Sequence, residues 1–421
     1  VRTAGKAEAG APFPRAEFDG TLGLMREGYR FIGRRCDRAG RDGFHTRLML
    51  RDVLCLRGAE AVDLLYESPD FTRRGAMPGW VLRLLQDKGS VQQLEGAEHR
   101  ARKALFTRLL IESDADATLA RIFGAALLER IGRGGRVNVL RDTVAPLSRA
   151  ACDWCGLGAD FAGDRALAAA LFEMSDRAGF PGPGSWAALA RRRRVEARLA
   201  AAVREWRRAG PPEAASPLAD FCRATGERGR PLPPETVAVE LLNLLRPIVA
   251  VGRYVAFAAR LLILRPDWRE RLRAAEEAEF DRFAEEIRRI SPFFPFVGAI
   301  SERPVHWRGE TLDKGQWVIA DLHGTCHDAR RFPDPDAFLP GRRLDWRHPA
   351  PGFVPQGAGD PARTHRCPGE KVTVALIAEA TRILTRGPAW TAPEQDLGID
   401  LARIPARPAS GVELDFGPAR G

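Results

Sequence analysis

One cysteine is set apart by its surroundings. Residues 353–370 read FVPQGAGDPARTHRCPGE, so Cys367 follows a glycine-rich, proline-marked loop. The run after it, KVTVALIAEATRIL, carries apolar residues at helical spacing (Val372, Val374, Ala375, Leu376, Ala378). Cys367 therefore stands at a loop-to-helix junction, where unpaired N–H groups and the positive end of the helix dipole favour a thiolate. Such a sulfur can be a nucleophile, a metal ligand or an inert thiol. A nucleophile normally needs a histidine base, and His365 is too close in the chain to approach the sulfur easily. An axial ligand to haem iron needs a sulfur on a rigid loop, amide N–H groups that temper its charge, and small residues that let the macrocycle lie close. Gly357, Gly359, Pro368 and Gly369 suit that arrangement.

Three further groups carry polar chemistry. In FAEEIRRISPFFPF, Glu286 and Arg289 stand at i, i+3 on one helical face, as do Glu285 and Arg288, so spacing leaves the register open. In GAEHRARKALF, His99 and Lys103 stand at i, i+4 and together can hold a carboxylate or phosphate. Taken singly, each of these pairs fits a solvated surface. In ELLNLLRPIVAVGRYVAF, Arg246-Pro247 interrupts an apolar face. A proline inside a helix costs about 3 kcal/mol. A buried arginine without a partner costs several kcal/mol more as an order of magnitude, so Arg246 calls for an anion.

These residues need a scaffold. The 421 residues, 45% hydrophobic, suffice for a large core. From about residue 78 to 290 the patterns are mostly helical, punctuated at PGPG, AGPPE and RGRPLPPE. HTRLMLRDVLCLRG reads as a β-hairpin, and VHWRGETLDKGQWVIADL as another with a D-K-G turn. GVELDF adds a late strand, and RRFPDPDAFLPGRRL is a proline-rich meander. The expectation is a mainly α fold with small β-sheets, one large domain over residues 1–421, with a central helix at about 235–264.

The charge of +10 is scattered through mixed-sign helices, and no basic helix carries a nucleic-acid docking motif. The densest cluster, Arg191–Arg194, reads as the solvated face of a helix whose other face holds Val195, Leu199, Val203 and Trp206. Seven cysteines at irregular spacing argue for a reducing cytoplasm rather than a disulfide framework. Cys152 and Cys155 form C-x-x-C, but nothing around them matches a zinc ribbon or a redox fold, so packing is the expected role. The N-terminal residues lack the apolar core of a secretory signal. Glu240, Asn243, Arg246 and Arg253 break up the most apolar stretch, so no stable membrane insertion is expected.

Taken in order, H-x-x-x-K, the long central helix, E-x-x-R, HDARRFPDPDAFLP and the cysteine loop resemble the cytochrome P450 superfamily over essentially the whole chain. The resemblance implies haem b with Cys367 as axial ligand to the iron. It also implies a buried Glu286–Arg289 pair behind the cysteine loop, and His99 and Lys103 on the haem propionates. Arginine is more typical at Lys103. Oxygen-activating members carry an acid–threonine pair where the central helix crosses the haem. Here no Ser or Thr follows Thr236 before residue 265. LLNLLRPIVAV, EIRRISPFFPF and PQGAGDPARTHRCPGE look like the fatty-acid peroxygenases within the superfamily. By that resemblance Arg246 anchors a fatty-acid carboxylate, Pro247 shapes the distal pocket, and Gln92 takes a distal position that goes with hydroxylation. The carboxylate can then take a proton from hydrogen peroxide and return it to the leaving oxygen, with no redox partner. The alternatives are a reductase-dependent monooxygenase, decarboxylation to terminal alkenes, and a non-catalytic haem or lipid carrier. Phe294 stands where some relatives have a smaller residue, which implies a narrower pocket.

Overall fold

The computed structural model describes residues 12–87, 89–210, 215–226 and 229–417. Helices dominate, and their ends follow local chemistry. Asp164 caps Arg165–Asp176 by accepting from the backbone N–H groups of Ala166 and Leu167. Pro183 and Pro234 open the helices Pro183–Ala209 and Pro234–Ala250, where a missing N–H costs nothing. The central helix Pro234–Ala250 is buried along almost its whole length and packs on Val144–Cys155, Arg165–Asp176 and Pro183–Ala209. After Val251 the chain resumes as a second helix, Gly252–Leu264. The combined span Pro234–Leu264 is long and apolar enough to cross a bilayer, yet 78% of its apolar window is buried inside the protein. A core helix satisfies the same pattern. Behind it, Glu370–Arg386 packs on Ala115–Gly132 and Glu277–Ile290.

The larger sheet has five strands in the order Gly43–Leu48, Arg51–Arg57, Trp317–Asp321, Phe296–Ser301 and Phe71–Thr72. Only Arg51–Arg57 and Trp317–Asp321 run parallel, with Leu54 opposite Val318. A second sheet joins Gly135–Asn138, Glu413–Phe416 and Trp390–Thr391. The first hairpin and the late strand form as expected.

The second hairpin differs. Val305–Trp307 pairs with Glu310–Leu312 across Arg308-Gly309, with Trp307 opposite Glu310. Both turn residues have positive φ, and glycine makes that cheap at one of them. The D-K-G segment instead redirects the chain into Trp317–Asp321, through a bond from Gln316 N–H to the Asp313 carbonyl. The arginine cluster also differs. Val195, Leu199 and Val203 are buried as expected, but so is Arg192. Its guanidinium donates to the Leu84 carbonyl (2.8 Å) and pairs with Glu196. The end of helix Gly79–Leu85 abuts this helix and leaves carbonyls that need donors. Cys152 and Cys155 are free thiols in the main hydrophobic core, where burial pushes both upward in pKa.

Candidate active site

Cys367 lies just ahead of helix Glu370–Arg386. Its backbone N–H donates to the Gln356 carbonyl (3.1 Å), closing the loop on itself. The Gln356 side chain donates Nε2 to Cys367 Sγ at 3.4 Å and to Thr373 Oγ1 at 3.3 Å. Its Oε1 accepts from Arg288 Nε (3.0 Å). Arg288 in turn pairs with Glu285 and Glu370, and Arg366 also pairs with Glu370. Each of these charged groups is almost wholly buried, so each is held by more than one partner. Gly357 permits the tight approach: its φ is +104° and a Cβ there would meet Tyr66 Oη at 2.5 Å. Burial, with Glu370 nearby, pushes the Cys367 thiol up, while the Gly369 N–H, Lys103 and Gln356 pull it back.

Both E-x-x-R registers are buried, and they do different work. Arg289 binds Glu286 bidentately (2.9 and 2.8 Å). The pair then holds the meander: Arg289 donates to the Cys326 and Ala337 carbonyls, while Glu286 accepts from Leu339 N–H and Arg342 Nε. Glu285 and Arg288 reach the cysteine loop itself. Arg342 and Gln356 complete these two networks, and no periodicity marks either residue.

The central helix supplies a cation. Arg246 is 8% exposed, and its Nη2 donates to the Leu85 carbonyl at 2.6 Å. Its Nε is buried without a hydrogen-bond partner, and it pairs with no carboxylate among the described residues. Burial, with Arg192 nearby, pushes its pKa down to about 9. Pro247, having no N–H, leaves the Asn243 carbonyl without its helical donor. The Asn243 side chain donates Nδ2 to Gln92 Oε1 (3.3 Å) and to Glu240 Oε2 (3.1 Å). Glu240, fully buried, also accepts from Val91 N–H (2.9 Å) and Arg102 Nη1 (2.7 Å). So Gln92, in the short turn Val91–Gln93, is held against the stretch of helix that carries Arg246, and the buried Arg102–Glu240 ion pair helps to fix that turn there.

A third cluster flanks the cysteine loop. The His99 ring packs on that of His365, centroids 4.2 Å apart. His365 Nε2 lies 3.3 Å from Glu95 Oε2, and Glu95 accepts from Thr72 and the Arg73 N–H. Burial, with His365 and Lys103 nearby, pushes His99 down to about 4. Lys103 donates to the Arg366 carbonyl, and burial pulls it down to about 8. Its ammonium is therefore tied to the residue preceding Cys367. Phe294 keeps 43% of its surface uncovered and meets Phe293 edge-on. Phe293 stacks on Tyr254 of the second central helix.

No family model matches the chain, but solved structures do. Cytochrome P450SP alpha (CYP152B1) in complex with (R)-ibuprophen is 36% identical over 94% of this chain and 98% of its own, with a TM-score of 0.88. Cytochrome P450EX alpha (CYP152N1) with myristic acid is 34% identical over 96% and 99%, with a TM-score of 0.89. The chain belongs to the CYP152 cytochromes P450. A variant of cytochrome P450 OleT in complex with arachidonic acid is 29% identical over 96% and 98%, with a TM-score of 0.89. This family consists of haem-thiolate oxidoreductases, the fatty-acid peroxygenases, which use hydrogen peroxide to hydroxylate fatty acids, and this chain is one of them. Its cysteine loop fits haem in donor chemistry: a half-buried sulfur, an amide donor on it, and glycines with positive φ at 357 and 359.

Sequence reasoning singled out Cys367, Glu286, Arg289, Arg246, Pro247, Gln92, His99 and Lys103. The structure places Arg246 and Pro247 on the central helix with Gln92 against it, and His99 and Lys103 beside the Cys367 loop, whereas Glu286 and Arg289 hold the meander rather than the loop itself. Sequence reasoning left the Glu285–Arg288 register open and missed Glu240, Asn243, Arg102 and Gln356 as a supporting set. The signal for two of them was present: Glu240 and Asn243 are polar interruptions of an otherwise apolar helix.

Proposed function

We propose that the enzyme hydroxylates medium- or long-chain fatty acids at the α or β carbon, with the substrate carboxylate bound to Arg246 as its acid–base group. Arg246 carries the argument. A desolvated guanidinium without an acid partner is costly, and an anion in its place removes the cost. A fatty-acid carboxylate offers two oxygens to its planar fork. The acyl tail would lie among apolar side chains and supply most of the affinity.

When bound, haem b supplies the oxidising centre that splits the peroxide O–O bond and takes hydrogen from carbon. Cys367 would hold its iron, with Gln356 donating to the sulfur. His99 and Lys103 are the proposed propionate contacts, His99 as a neutral imidazole at pH 7. The Lys103 ammonium also fixes the Arg366 carbonyl and thereby the cysteine loop. Distally, Arg246 sets the carboxylate's position. The carboxylate accepts a proton from one peroxide oxygen and returns it to the oxygen that leaves as water. Gln92 accepts from Asn243 through Oε1, and its Nε2 would be the donor offered to the distal side. Pro247, lacking an N–H, leaves the Asn243 carbonyl without its helical donor and shapes the distal side. Hydrogen peroxide would bring the oxygen atom already at the two-electron-reduced level, and the substrate carboxylate the acid–base group, so no redox partner would be required. A reducing cytoplasm suits the seven free thiols.

The test is to incubate the purified haem protein with C10–C18 acids and hydrogen peroxide and to analyse products by mass spectrometry. Hydroxy acids formed with peroxide alone support the reading. Turnover only with NAD(P)H and electron carriers would identify a reductase-dependent monooxygenase instead.

A further inference from the structure

We infer that Phe18, Leu22, Met25, Met49 and Leu50 form a docking face for an anionic lipid bilayer. They are 69%, 65%, 49%, 42% and 75% exposed, half of the ten large exposed hydrophobics among the described residues. Direct contacts tie the two segments together. Leu50 N–H donates to Asp19 Oδ2 (2.9 Å), Met49 N–H to Thr21 Oγ1 (2.6 Å), and Gly20 N–H to the Arg47 carbonyl (2.8 Å). Arg47 covers the Phe18 ring at 4.7 Å. Leu22 and Met25 lie on the helix Thr21–Glu27 that carries Thr21.

Met49 and Leu50 are also the least expected residues for their backbone. Leu48 pairs with Arg51, so they alone form the two-residue hairpin turn, with φ of 53° and 62°. Such turns favour Asn-Gly, because a residue with a Cβ is strained there. Packing does not account for the choice, since both side chains face solvent. Strain and exposed apolar surface are two separate costs at one place. A partner that takes up the apolar tips offsets both.

The rim points to an anionic surface. Asp19 is occupied by Thr21 and the turn, and Glu17 and Glu27 are engaged by buried Arg35. Arg15 and Arg47 share Asp52. Arg51 stands over Trp317, while Arg26 and Arg30 are exposed and have no acid partner among the described residues. The local excess is positive, which suits acidic headgroups rather than a neutral apolar partner. A bilayer is also where a long-chain acid dissolves, so docking would bring the enzyme to its substrate. The inference concerns binding and stands apart from the catalytic reading.

The test is co-sedimentation of the full-length haem protein with vesicles of pure phosphatidylcholine or with added phosphatidylglycerol. The wild type should partition to the acidic vesicles at low salt and release as salt rises. The double variant Met49→Asn, Leu50→Gly replaces the tips with the residues the turn prefers, so its melting temperature should stay level or rise. Its partitioning should fall at least fivefold, and Phe18→Ser with Leu22→Gln should do the same. Wild-type protein left in the supernatant, or equal partitioning by these variants, overturns the inference. So does concentration-dependent dimerisation in sedimentation velocity that the double variant abolishes without any vesicle binding, since the face would then belong to a second copy.

Discussion

Gln356 donates its amide to Cys367 Sγ at 3.4 Å while Arg288 holds its oxygen at 3.0 Å. A buried cation thus orients the side-chain amide that donates to the sulfur. Donors on a ligating thiolate draw charge from it and raise the potential of the metal behind it. Gln356→Leu should therefore keep a thiolate-type absorption spectrum yet lower the haem reduction potential in spectroelectrochemical titration. An unchanged potential would show that the amide only fills space. Cys367→Ala should lose the thiolate spectrum entirely, whereas Cys152→Ala and Cys155→Ala should retain it.

Arg246→Ala should harm turnover far more than binding. The lost charge-assisted hydrogen bond contributes roughly 1.5–3 kcal/mol. An acyl tail contributes about 0.8 kcal/mol per buried CH₂. For a long acid the tail dominates, so the dissociation constant should rise about tenfold to a hundredfold, while peroxide-driven turnover nearly vanishes. Substrate-induced spectral shifts and product yields measure the two separately. A short carboxylic acid filling the wild-type Arg246 site should also permit oxidation of an added neutral substrate. Wild-type turnover by Arg246→Ala would remove the arginine from the mechanism.

Gln92 should bias the products toward hydroxy acids. Loss of one hydrogen leaves a carbon radical on the substrate with two fates. It can gain a hydroxyl, or lose a second electron and carbon dioxide to give a terminal alkene. A glutamine amide does not titrate near neutral pH, whereas an imidazole does and can supply a proton that hinders hydroxyl recapture. Gln92→His should raise the alkene fraction modestly under identical peroxide feeding. Asn243→Ala, which releases Gln92 Oε1, should broaden the product distribution without changing the cysteine-side spectrum. A wild type that already makes mainly alkene would refute the role given to Gln92.

The motif residues were legible because their chemistry breaks a pattern. A cysteine before Pro-Gly at a helix start, or Arg-Pro inside an apolar helix, is conspicuous in one dimension. The central helix was equally plain, since its apolar run is long. What supports those residues was not. Arg192 looked solvated because its partners, the carbonyls of Leu84 and Gln86, lie more than a hundred residues away. Gln356 and Arg342 gain their roles only where the cysteine loop and the meander fold back on the E-x-x-R helix. The D-K-G segment misled because a strong turn signal does not say which strands it joins. Arg308-Gly309 closes the hairpin instead.

The flanking cluster predicts an acid-limb instability. His99 is held neutral in the fold with a pKa near 4, chiefly by burial, against an ordinary value of 6.5. Below 6.5 the unfolded chain binds a proton at His99 that the folded protein refuses. Stability therefore falls as pH drops from 6.5 to 4 and levels off once the folded form also titrates. Glu95, lowered to about 2 against burial by His365 and the Arg73 N–H, adds a loss of the same sign at lower pH, below 4.5. Between pH 6.5 and 4.5 His99 acts together with His365, His323 and His327, which burial also holds below their ordinary value, while buried Asp321, raised to about 7, works in the opposite direction. His99→Phe should keep the stacking on His365 and lessen the fall in that window by the His99 share. Urea midpoints at pH 7.5 and 5 measure it. An equal drop in wild type and variant would place the acid sensitivity elsewhere.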